Sequence, residues 1–260
     1  MSVATVLLVA LIEENNLGIV LSARFFMGAL WFAFFSLLLT RAMSPPRPSH
    51  IGRGLLMLLN TGAFLWAANL ISPGVASALA FTFPLYVPFL AWAVHGTAPK
   101  TRTVALSVIC ACGVALIFVE DVRISLIGVL AALSAGVLLA VRIVWDGVLG
   151  AQQDKISLTV WSSVFAGLGC APFAIAGLPA LLGPSFALGL AAAALLATAG
   201  QLLIINVATQ KAWPTLSLLL FLEVPMTTVL GVMFLGDLLG TQVILGMMII
   251  FAVVVLEAKH

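Results

Sequence analysis

The chain is written in long apolar runs separated by short polar breaks. Predominantly apolar stretches extend over Leu17–Thr40, Gly54–Ile71, Val75–Val94, Val104–Val119, Ile124–Trp145, Leu158–Leu178, Phe186–Val207, Leu216–Leu235 and Leu238–Leu256. A helix crosses hydrocarbon with about 20 apolar residues, and these nine runs lie near that length. A tenth, Val3–Ile12, stops at Glu13-Glu14-Asn15-Asn16 and has half the length. It lacks the basic leader and small-residue cleavage site of a signal peptide and predicts a first helix that is short or truncated. The breaks carry turn chemistry, as in Ser44-Pro45-Pro46-Arg47-Pro48, Ser72-Pro73-Gly74 and Gly183-Pro184, and none has room for a soluble domain. Backbone in lipid must satisfy its own hydrogen bonds, and the alternation of a membrane barrel is absent. The pattern predicts an all-α membrane protein with about ten transmembrane helices, referred to as spans one to ten.

Composition and charge sharpen this picture. Of 260 residues, 63% are apolar and 8% charged, against about half and a quarter in soluble domains, which excludes a water-soluble fold. A net charge of +2 with scattered basic residues gives no nucleic-acid footprint. Placing the first loop outside puts Arg41, Arg47, Arg53, Lys100, Arg102, Arg142, Lys155, Lys211 and Lys259 on the inner side and Arg123 alone on the outer side. That asymmetry predicts a multi-pass protein of the cell (inner) membrane with a cytoplasmic C-terminus. Cys110, Cys112 and Cys170 lie within apolar runs and read as packing residues rather than a disulfide or metal set.

Sliding the sequence by 140 residues lays Ser77, Leu79, Phe81, Leu90, Gly96 and Thr101 on Ser217, Leu219, Phe221, Leu230, Gly236 and Thr241. The same shift lays span four on nine and span five on ten. An odd number of spans per half forces the halves into opposite topology, so two inverted five-helix repeats are expected at residues 1–120 and 121–260. This architecture belongs to transporters, with substrate held near the midplane.

Candidate chemistry clusters in related spans. Glu223 lies mid-span, where a carboxylate is costly unless it faces protein or water, and it reads either as a titrating site or as a packing acid. Arg24 in span two suits a substrate carboxylate, or else anchors the helix by snorkelling. Pro84, Pro88 and Pro225 are interior helix prolines; Pro84 frees the Ala80 carbonyl and Pro225 that of Phe221, placing kinks where a cavity would be shaped. Asn60, Thr61 and Asn69 in span three, Tyr86 in span four, and Gln201 and Asn206 in span eight add polar groups that, with Trp66 and Phe81, could line a cavity. Each amide is alternatively a helix-to-helix hydrogen bond. Gly128, Ala132, Gly136 and Ala140 form a small-residue ridge suited to close packing. The three histidines, His50, His95 and His260, fall in loops or the tail, so no catalytic or metal constellation is visible. An intramembrane enzyme or a channel remains the alternative reading.

Three segments resemble a known family. Ala76-Ser77-Ala78-Leu79-Ala80-Phe81-Thr82-Phe83-Pro84-Leu85 is similar to the first-repeat pattern of EamA-like carriers in the drug/metabolite transporter superfamily. Leu222-Glu223-Val224-Pro225 running to Leu235-Gly236-Asp237 is similar to the second-repeat ending, and Ala23-Arg24-Phe25 to the opening of the second helix. The chain departs from the pattern at Thr97, where an acid is usual, and in the placement of the second-repeat proline. The resemblance implies a carrier without a cofactor that moves small metabolites, often outward. The expected partners are therefore a small amphipathic substrate such as an amino acid, protons as a coupling ion, and the bilayer.

Overall fold

The computed structural model describes residues 17–38, 43–71, 73–96, 98–117, 125–174, 184–210 and 241–258. Nine helical segments and no strand occur among them: α1 Leu17–Leu38, α2 Pro48–Leu70, α3 Pro73–Ala80, α4 Phe83–His95, α5 Thr101–Ile117, α6 Leu126–Gln152, α7 Lys155–Ala174, α8 Pro184–Ala208 and α9 Thr241–Ala258. Because α3 and α4 are two parts of span four, these segments account for spans two to eight and span ten. Spans one and nine lie outside the described residues.

The break in span four follows from Pro84. Its ring would strike the carbonyl of Ala80 and it has no N–H to give, so α3 ends at Ala80 and a new helix starts at Phe83. Thr82 bridges the gap: its N–H and Oγ1 both donate to the Leu79 carbonyl, at 3.2 and 2.7 Å, and its own carbonyl accepts from Leu85 N–H at 2.9 Å. Pro84 is therefore a first-turn proline rather than an interior one, and this corrects the sequence expectation. Pro88 does lie inside α4. That helix ends at Gly96, whose φ of 75° is the left-handed conformation favoured by glycine, with its N–H donated to Trp92 O at 2.7 Å.

The described helices form two compact units that do not follow the chain halves. One joins α1 and α2 up to Leu59 with α6 from Trp145, α7 and α8; the other joins α2 from Asn60, α3, α4, α5 and α6 up to Val144 with α9. In the first unit, α1 packs on α7 and α8. Ser22 Oγ donates to Gly167 O at 3.2 Å, and Ala29 and Phe32 cluster with Val160, so α1 and α7 run antiparallel. The connector before α2 is tied down by Ser44, whose N–H donates to Ser157 Oγ and whose carbonyl accepts from Trp161 Nε1, at 2.9 and 2.8 Å. Asp154 Oδ2 caps α7 by accepting from Ser157 N–H at 2.7 Å.

In the second unit, α9 packs along α5, with Leu106, Cys110 and Val114 against Ile250 and Val253. Arg102 Nη2 donates to Leu256 O at 2.8 Å, and a Cβ on Gly113 would lie 3.1 Å from Gly246 O, so this pair is also antiparallel. The small-residue ridge of α6 receives its neighbours closely. Gly128 lies under Leu70 and Ile71, and Ala132 packs with Ala67, Ile71 and Ala76. A Cβ on Gly136 would come within 2.9 Å of Ala80 O. The carbonyl freed by Pro84 is thus covered by the Gly136 backbone.

Candidate functional site

The predicted set divides between the units. Arg24, Gln201 and Asn206 fall in the first; Asn60, Trp66, Phe81, Tyr86, Pro84 and Pro88 fall in the second. Glu223 and Pro225 lie outside the described residues.

Within the second unit, Asn60 Nδ2 donates to Ala135 O at 2.8 Å, an inter-helix bond between α2 and α6, and Asn69 Nδ2 donates within α2 to Leu65 O at 3.1 Å. Phe81 is partly buried on the α5–α9 cluster and lies 6.2 Å from the ring of Phe83. Tyr86 is half-buried, with its hydroxyl 3.4 Å from Thr82 Oγ1. Trp66 keeps 52% of its surface exposed.

The first unit carries most of the buried polarity. Helix α1 also packs on α8, where Trp31 Nε1 donates to Ala191 O at 3.2 Å and Gly28 lies against Thr198 and Ala194 O. A Cβ at position 28 would collide with Thr198 Oγ1, so glycine is what lets the two backbones approach. One turn before Gly28 stands Arg24, 7% exposed, with its guanidinium 5.2 Å from the centre of the Phe25 ring. Gln201 is 3% exposed, and its Oε1 has no hydrogen-bond partner. Asn206 is exposed at the end of α8, where Oδ1 accepts from Lys155 Nζ at 2.7 Å; the same ammonium reaches Thr209 Oγ1 at 3.1 Å.

A second polar centre was not expected from the sequence. Arg53 and Asp146 are completely buried, with Arg53 Nε donating to Asp146 Oδ1 and Nη2 to Oδ2 at 3.1 Å, a two-point pairing. Arg53 Nη1 also donates to Met57 Sδ at 3.2 Å. Beside them the buried His50 accepts Arg47 N–H on Nδ1 at 3.0 Å and meets Gln153 Oε1 through Nε2 at 2.8 Å. Gln153 Nε2 donates in turn to Ser49 Oγ at 3.0 Å. The indole of Trp145 fits against Gly52, where any side chain would strike it.

These contacts correct two sequence expectations. Arg53 and His50 are helix residues in α2 rather than loop residues, and α6 continues past Trp145 to Gln152 because Asp146 enters it already neutralised by Arg53. Arg142 is likewise buried within α6. Removing Arg53 and Arg142 from the loop count leaves Arg41, Arg47, Lys100, Arg102, Lys155, Lys211 and Lys259 against Arg123, so the asymmetry persists. A charged pair 93 positions apart leaves no local signature; the available signal was that both residues lie at the ends of apolar runs with opposite sign.

Among the described residues, no group of three or more His, Cys, Asp or Glu side chains could hold a metal ion. Beside the Arg53–Asp146 pair, the buried polar groups of the first unit are the Arg24 guanidinium, the Gln201 amide and hydroxyls such as those of Ser22, Ser162 and Thr198.

Residues 1–119 match the EamA-like transporter family. No curated protein is similar enough to match the chain. A solved structure described as "Crystal structure of protein" is similar over 99% of this chain and 96% of its own, with a TM-score of 0.81 at 16% identity, so the fold is shared.

Proposed function

We propose, from the match of residues 1–119 to the EamA-like transporter family, that the chain is a secondary carrier, not an enzyme. It exports a small amphipathic metabolite, an amino acid or a related compound, across the cell membrane by alternating access. The multi-pass helical fold is the frame for this. The observation that carries the proposal is the behaviour of the 140-residue register. Shifted by 140, α1 covers 157–178 against α7 at Lys155–Ala174, α2 covers 188–210 against α8 at Pro184–Ala208, and α5 covers 241–257 against α9 at Thr241–Ala258. The mates α1 and α7, and α5 and α9, pack on each other antiparallel. Antiparallel packing of equivalent helices supports two inverted repeats, and inverted repeats supply the two exchangeable states that alternating access requires.

In this reading the inner side carries Arg47, Lys100 and Lys155 together with the C-terminus, as the basic asymmetry indicates. Substrate is handled by Arg24, Gln201, Asn60, Trp66, Phe81, Tyr86 and Asn206, with Glu223 as the protonating group and Pro84, Pro88 and Pro225 shaping the cavity. The test is efflux from proteoliposomes loaded with single amino acids, with and without an imposed pH gradient. The reading expects saturable efflux that the gradient accelerates. Absence of efflux for every compound under both conditions contradicts it.

A further inference from the structure

The end of the first unit that carries the α6–α7 turn is built in layers. Only Gln153 and Asp154 separate α6 from α7, so the two helices turn back on each other, and Leu149 packs with Leu158. Helix α8 joins the same layer through Ile205. Lys155 Nζ, at the start of α7, donates to Asn206 Oδ1 and Thr209 Oγ1 at the end of α8, so this pair is antiparallel as well. Residues three and four apart share a helix face. One helical turn further from the α6–α7 connection, about 5–6 Å along each axis, the three helices therefore bring Trp145 and Asp146, Ser162, and Gln201 to one level. Helix α2 meets that level too: Arg53 pairs with Asp146, Gly52 fits against Trp145, and a Cβ on Gly54 would strike Ser162 O. Arg53 and Asp146 satisfy each other, whereas Ser162 Oγ and Gln201 Oε1 have no hydrogen-bond partner. A single orphaned oxygen costs stability. Two at one level, beside a carboxylate whose oxygens each keep a further lone pair, point to a shared ligand.

We propose that this level is an internal water site held by Ser162, Gln201 and Asp146. Charge and packing choose the ligand. Arg53 already neutralises Asp146, so a bound cation or anion would be an uncompensated buried charge. Arg53, Asp146, Ser162 and Gln201 are at most 3% exposed, which suits a ligand of one heavy atom rather than a solute. Water donates and accepts, so it serves hydroxyl, amide and carboxylate alike, and internal waters typically make about three such bonds. It ties α6, α7 and α8 to the ion pair of α2 through bonds that are remade by a turn of the water rather than by repacking. The site stands on the packing of the first unit and is independent of the carrier reading; where both hold, Gln201 meets substrate through water.

Radiolytic hydroxyl-radical labelling of the purified full chain in detergent, read residue by residue by mass spectrometry, tests this, because a bound water yields radicals where bulk solvent does not reach. The reporter is Met57, completely buried, with Sδ 3.2 Å from Arg53 Nη1. Met57 should be oxidised in the wild type, and about tenfold less in Ser162→Ala combined with Gln201→Leu, once both oxygens that hold the water are gone. Gln201→Leu alone should lower Tm, since it removes a bond that the water makes. A raised Tm means that the oxygen was unpaired, and overturns the proposal. An unlabelled Met57 in the wild type overturns it without any variant, as does equal labelling of the wild type and the double variant. If the double variant does not fold, Gln201→Met carries the same comparison. Sodium chloride and choline chloride at equal strength should give one Tm. A Tm that rises with sodium in the wild type but not in Gln201→Leu assigns a cation to the site and overturns the water.

Discussion

Arg53 and Asp146 show what a single residue can decide in lipid. Each alone would be an uncompensated buried charge, and together they make a neutral two-point pair that lets α2 and α6 carry polar side chains into their buried ends. Removing one partner should be far worse than removing both. Asp146→Ala is expected to destabilise the protein by about 3–5 kcal/mol, whereas Arg53→Met with Asp146→Leu should restore stability to within about 1 kcal/mol of the wild type or above it. Thermal unfolding of the three proteins in one detergent checks this; equal losses in the single and double variants would contradict it. Glu223 carries a different expectation. Glu223→Gln keeps size and hydrogen bonding while removing the titrating proton, so it should lower transport at least tenfold with little change in folded yield, and abolish the pH dependence of the wild type. Flux measured across the pH range, alongside size-exclusion yield, decides between a titrating acid and a packing one.

At the scale of elements, the apolar runs gave helix existence and approximate ends, because twenty apolar residues in lipid have few alternatives to a helix. The ridge Gly128, Ala132, Gly136, Ala140 was also legible, since small residues at four-residue spacing have one packing consequence. What could not be read was the local outcome at Pro84. The same proline fits an interior kink or a first turn, and the choice was made by Thr82, which bridges the break, and by Gly136, which covers the Ala80 carbonyl. Nor does an all-apolar helix reveal which side faces protein: Trp66 is largely exposed, whereas Gln201 is buried. Two glycines on described helices test the packing account. Gly136→Ala drives a Cβ against backbone and should cost about 1–3 kcal/mol, with a matching fall in Tm. Gly62 has nothing within 4 Å of an added Cβ, so Gly62→Ala should be neutral or gain up to about 1 kcal/mol from helix propensity. Equal effects of the two substitutions would contradict the close α3–α6 contact.

At the scale of the molecule, the compact units take segments from both chain halves. Packing joins α1 to α7 and α5 to α9, two of the pairs that the 140-residue shift relates. That exchange was invisible in the sequence because a register shift identifies equivalent helices without saying which of them touch. Orientation is testable separately: single cysteines at positions 47 and 155 should resist an impermeant thiol reagent added to intact cells and react once the membrane is opened, and labelling from outside would invert the topology. The central claim is that the chain alternates between two states around a bound substrate, and counterflow measures this most directly. Proteoliposomes preloaded with unlabelled substrate should take up external labelled substrate transiently above its equilibrium level, since a carrier returns loaded faster than it equilibrates. Uptake that rises linearly with concentration and never overshoots would mark a pore, and would contradict the account.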